Sequence, residues 1–221
     1  MGCGLEKICH TLEPGFIGRD RFIAEMMKRG YRVRKKKNYV RTTRPVKISH
    51  WPNCITGMLL WDINMVWQSD ITYFLSSNRK FYYITFIIDV YSKRIIGYSV
   101  SENLLAESNI NAVQMAIKTR KGDDLHWLIH HSDKGSQYVS KRYTGILSST
   151  GAVISMGGKA QDNAYVERLN GTLKNEYLKY WDIDDLQSLK KAVKKQSIII
   201  ITKGYIIHWA NAARWPSKNN C

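Results

Sequence analysis

Cysteine is scarce in this chain: four in 221 residues. Cys3, Cys9, Cys54 and Cys221 show neither the paired spacing of a zinc site nor the density of a disulfide framework. They fit a reducing compartment, the cytoplasm. Long apolar runs are also missing. Ile198 to Ile201 is too short to span a bilayer, and no signal peptide is visible, so no membrane partner is expected. Acidic residues are few. Eighteen Asp and Glu stand against thirty-four Lys and Arg, giving a formal charge of +16 and a pI near 9.7. That balance favours a polyanionic partner, nucleic acid first among them; the plainer alternative is a basic soluble protein.

Hydrophobic content of 44% is that of a globular chain, and 221 residues can bury one substantial core plus a small appendage. Residues 1–17 carry no pattern. Phe22, Ile23, Met26 and Met27 then predict a short helix that stops near Gly30. Arg32, Arg34, Lys35, Lys36, Lys37, Arg41 and Arg44 follow. Residues 1–50 hold thirteen basic and four acidic residues, more than half of the net charge. This region reads as the tail of a helix-turn-helix-like DNA-binding module with a basic arm; the alternative is a solvated charged linker. Residues 51–65, with Pro52 and Gly57 and no sustained period, read as a linker into a core over 66–195.

Within that core, Val66 to Phe74 reads as a strand, yet Asp70 interrupts it, and aspartate is disfavoured inside strands. Tyr82 to Asp89 and Arg94 to Val100 predict a hairpin joined by Val90-Tyr91-Ser92-Lys93. Asp89 could be a further acidic ligand, but the preferred reading is that it caps this turn. Ala106 to Thr119 predicts an amphipathic helix. A strand over 127–131 ends in His130-His131-Ser132, which places Asp133 at its carboxyl end, where open α/β sheets put ligands. Adjacent histidines on a strand point to opposite faces, which makes a shared zinc improbable. A helix over about 139–149 and a strand from Ala152 to Met156 follow. Gln161 to Glu176 reads as a final helix, capped by Asp162 or Asn163 and apolar along Val166, Leu169 and Leu173. Glu167 shares its polar side with Asn163, Asn170, Gly171 and Lys174. Periodicity alone supports an α/β fold with a mixed sheet. Three carboxylates on separate elements can supply oxygen ligands to Mg²⁺ or Mn²⁺.

The words Trp67-Gln68-Ser69-Asp70-Ile71-Thr72-Tyr73, His130-His131-Ser132-Asp133-Lys134-Gly135-Ser136-Gln137-Tyr138 and Asp162-Asn163-Ala164 running to Glu167, Lys174 and Glu176 carry a resemblance. In these the chain resembles the integrase-like transposases of bacterial insertion sequences, relatives of retroviral integrases. The 34 positions from Asp133 to Glu167 fit that family's D–D–E spacing. The resemblance implies a ribonuclease H-like core: a mixed five-stranded sheet flanked by helices, preceded by a small partial helical DNA-binding region. It implies Asp70, Asp133 and Glu167 as catalytic residues and ligands of two Mg²⁺ or Mn²⁺ ions. It implies cleavage of double-stranded DNA at the element's terminal repeats, then joining to target DNA, by a homo-multimer in the bacterial cytoplasm at the nucleoid. Lys174, Asn163, Asn170 and Lys134, with Arg34, Lys35, Lys36 and Lys37 of the arm, are the expected DNA contacts. The zinc module of retroviral integrases has no counterpart in His10, His50, Cys9 and Cys54. Family members carry a longer N-terminal domain, so this chain is expected to start partway through one. At the other end, residues 196–221 lack the family's Arg-Pro-His word and read as degenerate, from a damaged or shifted frame. An inactive remnant that only binds DNA is therefore the alternative function. A structure-specific or RNA-cleaving nuclease fits less well, given the word around Glu167 and the basic arm.

Overall fold

The computed structural model describes residues 5–31, 51–158 and 160–203. The chain divides into two compact units between Thr42 and Thr43. In the first, α1 (Leu5–Leu12) and α2 (Arg19–Lys28) bury Cys9 and Phe22. α1 falls where the sequence showed no pattern. α2 ends as its sequence predicts: Gly30 adopts φ +82°, its N–H bonds to Met27, and the Tyr31 N–H bonds to Met26. This is a Schellman closure, which needs a left-handed residue and is least strained with glycine. Arg34, Lys35, Lys36 and Lys37 lie outside the described residues.

The second unit is built on five strands: β1 (Val66–Leu75), β2 (Phe81–Asp89), β3 (Ile95–Ser101), β4 (Ile129–Ser132) and β5 (Val153–Met156). Their order across the sheet is β3-β2-β1-β4-β5. The first three form an antiparallel meander, and β4 and β5 run parallel to β1. This is the mixed sheet the resemblance implies. Strand alternation sorts its side chains into two layers. Tyr82, Ile84, Phe86 and Ile88 pack with Val166, Leu169 and Leu173 of the segment starting at α5 (Ala164–Thr172), and with Leu189, Ala192 and Val193 of α6 (Leu186–Lys203). Trp67, Ile87 and Ile96 pack on the opposite side with Ile110, Val113 and Ala116 of α3 (Ala106–Thr119) and Leu147 of α4 (Lys141–Ser149).

One irregularity serves this sorting. Ile87 pairs with Gly97, but Ile88 pairs with Ile95, so Ile96 is an extra residue in β3. A one-residue bulge lets Ile95 and Ile96 serve opposite layers. Beside it, Gly97 is required by contact: a Cβ there would overlap the Ala112 carbonyl oxygen and stand 3.0 Å from Ala116 Cβ.

Asp89 is fully buried and caps the hairpin. Its Oδ1 accepts from the Ser92 N–H and hydroxyl, each at 2.7 Å, and its Oδ2 accepts from the Asn64 N–H at 2.6 Å. Residues 51–65 contain no regular element, although Ile55 is buried against Val66 and Val90. No helix among the described residues is long and apolar enough to cross a membrane.

Candidate active site

Two strand positions create the site. β4 pairs with β1 only from Val66 to Ser69, so Asp70 is the first residue of β1 beyond that pairing. Asp133 follows β4 directly, at the carboxyl end of a parallel strand. The backbone turns sharply there: the Gly135 N–H bonds to Asp133 Oδ1 at 3.0 Å. A Cβ on Gly135 would stand 2.9 Å from that oxygen and 3.0 Å from Gln137 Oε1, so a larger residue there would make the Asp133 carboxylate or the Gln137 amide shift.

Glu167 comes from the first turn of α5, and the residues just before Asp70 hold that turn in place. Gln68 donates from Nε2 to the Asp162 carbonyl at 2.9 Å and accepts the Val166 N–H on Oε1 at 3.4 Å. Asn163 donates from Nδ2 to the Ser69 carbonyl at 2.9 Å. Asn163 occupies the cap position but makes no side-chain cap bond; its amide is used on the sheet.

Asn170, one turn beyond Glu167, donates to Asp70 Oδ2 at 2.7 Å. Asn163 and Asn170 are only 4% and 5% exposed, so the two amides expected at a DNA surface instead join α5 to β1.

The carboxyls feel one another. Asp70 is pushed up to about 7, first by burial, then by the charge of Asp133, with a smaller push from Glu167; the Ile71 N–H and Asn170 oppose the rise. Asp133 is raised by burial, against the Gly135 N–H. Glu167 is raised by desolvation of its carboxyl and by Asp133. Like charges gathered in a poorly solvated place raise one another's proton affinity, and a bound cation relieves the same stress. Among the described residues no three His, Cys, Asp or Glu side chains gather round a single point. Carboxylate oxygens of this kind suit a hard cation whose shell is completed by water and phosphate oxygens.

The neighbouring histidines are structural and neutral. His130 Nε2 meets the Tyr143 hydroxyl at 3.0 Å on the α4 side, and His131 Nδ1 meets Ser155 Oγ at 2.8 Å on the other face. Burial depresses them to about 3 and about 4. Beneath Asp70, the Ser69 hydroxyl donates to the fully buried Tyr138 hydroxyl at 3.1 Å.

Lys174 stands just past α5, which stops at Thr172, in the π turn Leu173–Tyr177. Its ammonium sits 3.6 Å from the Tyr73 ring centroid, and burial lowers its pKa. Lys134 is half-buried and lies beside Gly158. Sequence reasoning missed the roles of Gln68 and Tyr73, although both stand inside the word around Asp70.

Residues 63–161 match the family model described as the integrase core domain. The chain is 33% identical over 210 residues to the insertion element IS600 uncharacterized 31 kDa protein of Shigella sonnei, a match covering 91% of this chain and 71% of that protein. It is 39% identical over 113 residues to the transposase for insertion sequence element IS629 of Shigella sonnei, covering 50% of this chain and 37% of the relative. It spans well under half the length of that relative. A chain of the simian T-cell lymphotropic virus intasome, solved in complex with PP2A regulatory subunit B56 gamma, shares the fold. The TM-score is 0.50 at 18% identity, over 86% of this chain and 63% of that one.

Proposed function

Because the chain belongs to the integrase-core family of insertion-sequence transposases, we propose that it cuts and joins DNA at the ends of a mobile element, with Asp70, Asp133 and Glu167 as its catalytic residues. The observation that supports this reading is electrostatic: Asp70 on β1 feels the charges of Asp133 at the end of β4 and of Glu167 on α5, and Glu167 feels that of Asp133, so the three carboxylates lie within reach of one another's charge. Mg²⁺ or Mn²⁺, two ions in all, would be held by Asp70, Asp133 and Glu167, activating the attacking oxygen and stabilising the leaving one. Asn170 and the Gly135 N–H orient two of these carboxylates before any substrate arrives. Water is the first nucleophile; it breaks a P–O bond and leaves a free 3′-OH on the element. That hydroxyl then attacks a target phosphodiester, forming a new P–O bond while the target strand's own 3′ oxygen leaves, so no covalent protein–DNA intermediate is needed. Lys174, Lys134 and the arm Arg34, Lys35, Lys36 and Lys37 are the DNA-contacting cations in this reading. Two ends must be joined in one event, so the acting form is a homo-multimer on double-stranded DNA at the nucleoid.

The test is strand transfer on a duplex carrying the terminal sequence of the element that encodes the chain, with Mg²⁺ or Mn²⁺, beside a Glu167→Gln protein. Joined product from the parent and none from the variant is the expected result. Binding without product from a folded parent would overturn the catalytic reading, and equal product from both would remove Glu167 from the site.

A further inference from the structure

Past Asp70, β1 continues for five residues with β2 on one side and no pairing to β4 on the other. The odd-numbered side chains of this stretch face the α3 side of the sheet. α3 reaches Thr85, whose hydroxyl donates to Asn109 at 2.8 Å. Beyond that point Tyr73 lies opposite Tyr83 and Leu75 opposite Phe81. Leu75 and Phe81 are 49% and 46% exposed, and the Tyr73 ring meets the Phe81 edge at 5.8 Å between centroids. The result is an aromatic sheet face about 10 Å along the strand from Asp70.

A cation covers this face at one place. Lys174 follows α5, whose neighbouring residue Leu173 packs on the even-numbered side with Phe74 and Phe86. Its ammonium nevertheless lies over the Tyr73 ring. The contact is therefore made around the edge of β1 that β4 does not pair with. A cation on an aromatic ring, three residues along the strand from a carboxylate that would hold a phosphate-binding metal ion, combines the two recognition elements of single-stranded nucleic-acid sites: charge for the backbone, a π-face for the base.

We propose that Tyr73 is a base-stacking residue of the DNA site. An unpaired nucleobase next to the reacting phosphate lies on the Tyr73 ring, in the place that Lys174 holds while DNA is absent. A phosphate draws the ammonium off the ring, and the bared ring face accepts the base. An unpaired base can turn a whole face to the ring, whereas inside a duplex both faces of each base are already stacked and at a blunt end the free face belongs to a base pair. The inference rests on the reading of the chain as an enzyme of DNA ends and adds a specificity determinant to it: ends with frayed or extended strands bind better than blunt ones.

The experiment compares a short blunt duplex with the same duplex carrying a single-stranded 3′ extension that contains 2-aminopurine, both without divalent metal so that no chemistry intervenes. The parent should quench 2-aminopurine and prefer the extended duplex. Tyr73→Leu should lose the quenching and weaken binding to the extension by roughly five- to a hundredfold, the range of one base stack, while blunt binding stays within about twofold. Tyr73→Phe should restore both properties, which separates stacking from the hydroxyl and from a folding defect. The proposal is overturned if Tyr73→Leu quenches and binds like the parent, if it loses blunt and extended binding equally, or if Tyr73→Phe fails as Tyr73→Leu does. A parent that binds neither duplex would remove the DNA-processing function itself; a parent that binds both duplexes, with Tyr73→Leu matching it on each, would remove only the stacking role.

Discussion

Asn170 shows how one side chain can set the working range of another. Its N–H donation favours the ionised form of Asp70, the form that binds a cation. Asn170→Ala should therefore raise Asp70 further. The acid limb of a pH–rate profile for DNA cleavage should move upward by about one unit, since a hydrogen bond to a charge contributes about 1.5–3 kcal/mol. An unmoved limb would show that Asn170 only fills space. Lys93 allows a second test away from the carboxylates. Its ammonium lies over Tyr165, 3.7 Å from the ring centroid, and donates to the Val90 carbonyl. Burial depresses it from 10.5 to about 8, against the pull of Asp89. A lysine depressed by folding contributes stability that is full above 10.5 and is lost as pH falls through 8. The urea midpoint of the parent, relative to Lys93→Met, should thus rise between those two values. A constant difference between the two proteins would contradict the placement of Lys93.

The elements differ in how much of them the sequence discloses. α3 lies over Ala106–Thr119, as its apolar spacing predicts, and β1, β2 and β5 fall within a residue or so of their expected bounds. These are long or strongly patterned segments whose neighbours do not alter their period. The irregular pieces were not legible. The π turn at Leu173–Tyr177 has helical composition, and only packing distinguishes it from a regular helix. The carboxylates stood out because aspartate is misplaced in a strand and because three words matched a family. The role of Gln68 did not, because its partners Asp162 and Val166 lie more than ninety positions away, and no local pattern encodes that pairing. Gly97 is an intermediate case: glycine in a strand hints at a close approach, but only the fold shows it to be α3. Gly97→Ala should push α3 off the sheet and cost about 1–3 kcal/mol, the usual range for overpacking, read as a lower denaturation midpoint. An unchanged midpoint would mean that the helix can shift without loss.

At the scale of the whole molecule the dominant quantity is charge. A formal +16 on 221 residues should give DNA affinity that falls steeply with salt. Each phosphate contact adds about 0.9 to the slope of log affinity against log salt. Replacing Arg34, Lys35, Lys36 and Lys37 together by alanine should therefore make the slope shallower by up to about 3.6, measured by titration at several salt concentrations. No change would identify that cluster as solvated linker. On the proposed function, the charge would draw the chain to any DNA, and selection of particular ends would come from the neighbourhood of Asp70.

The bonds from Gln68 and Ser69 to the start of α5 also bear on descent. Strand and helix are far apart in the gene yet are bound at three points within a few residues of two carboxylates. Neither segment can drift alone without moving a carboxylate away from its companions. Because both side chains bond to main-chain groups, which any residue supplies, Gln68 and Asn163 should each be kept among relatives whatever stands at 69, 162 and 166.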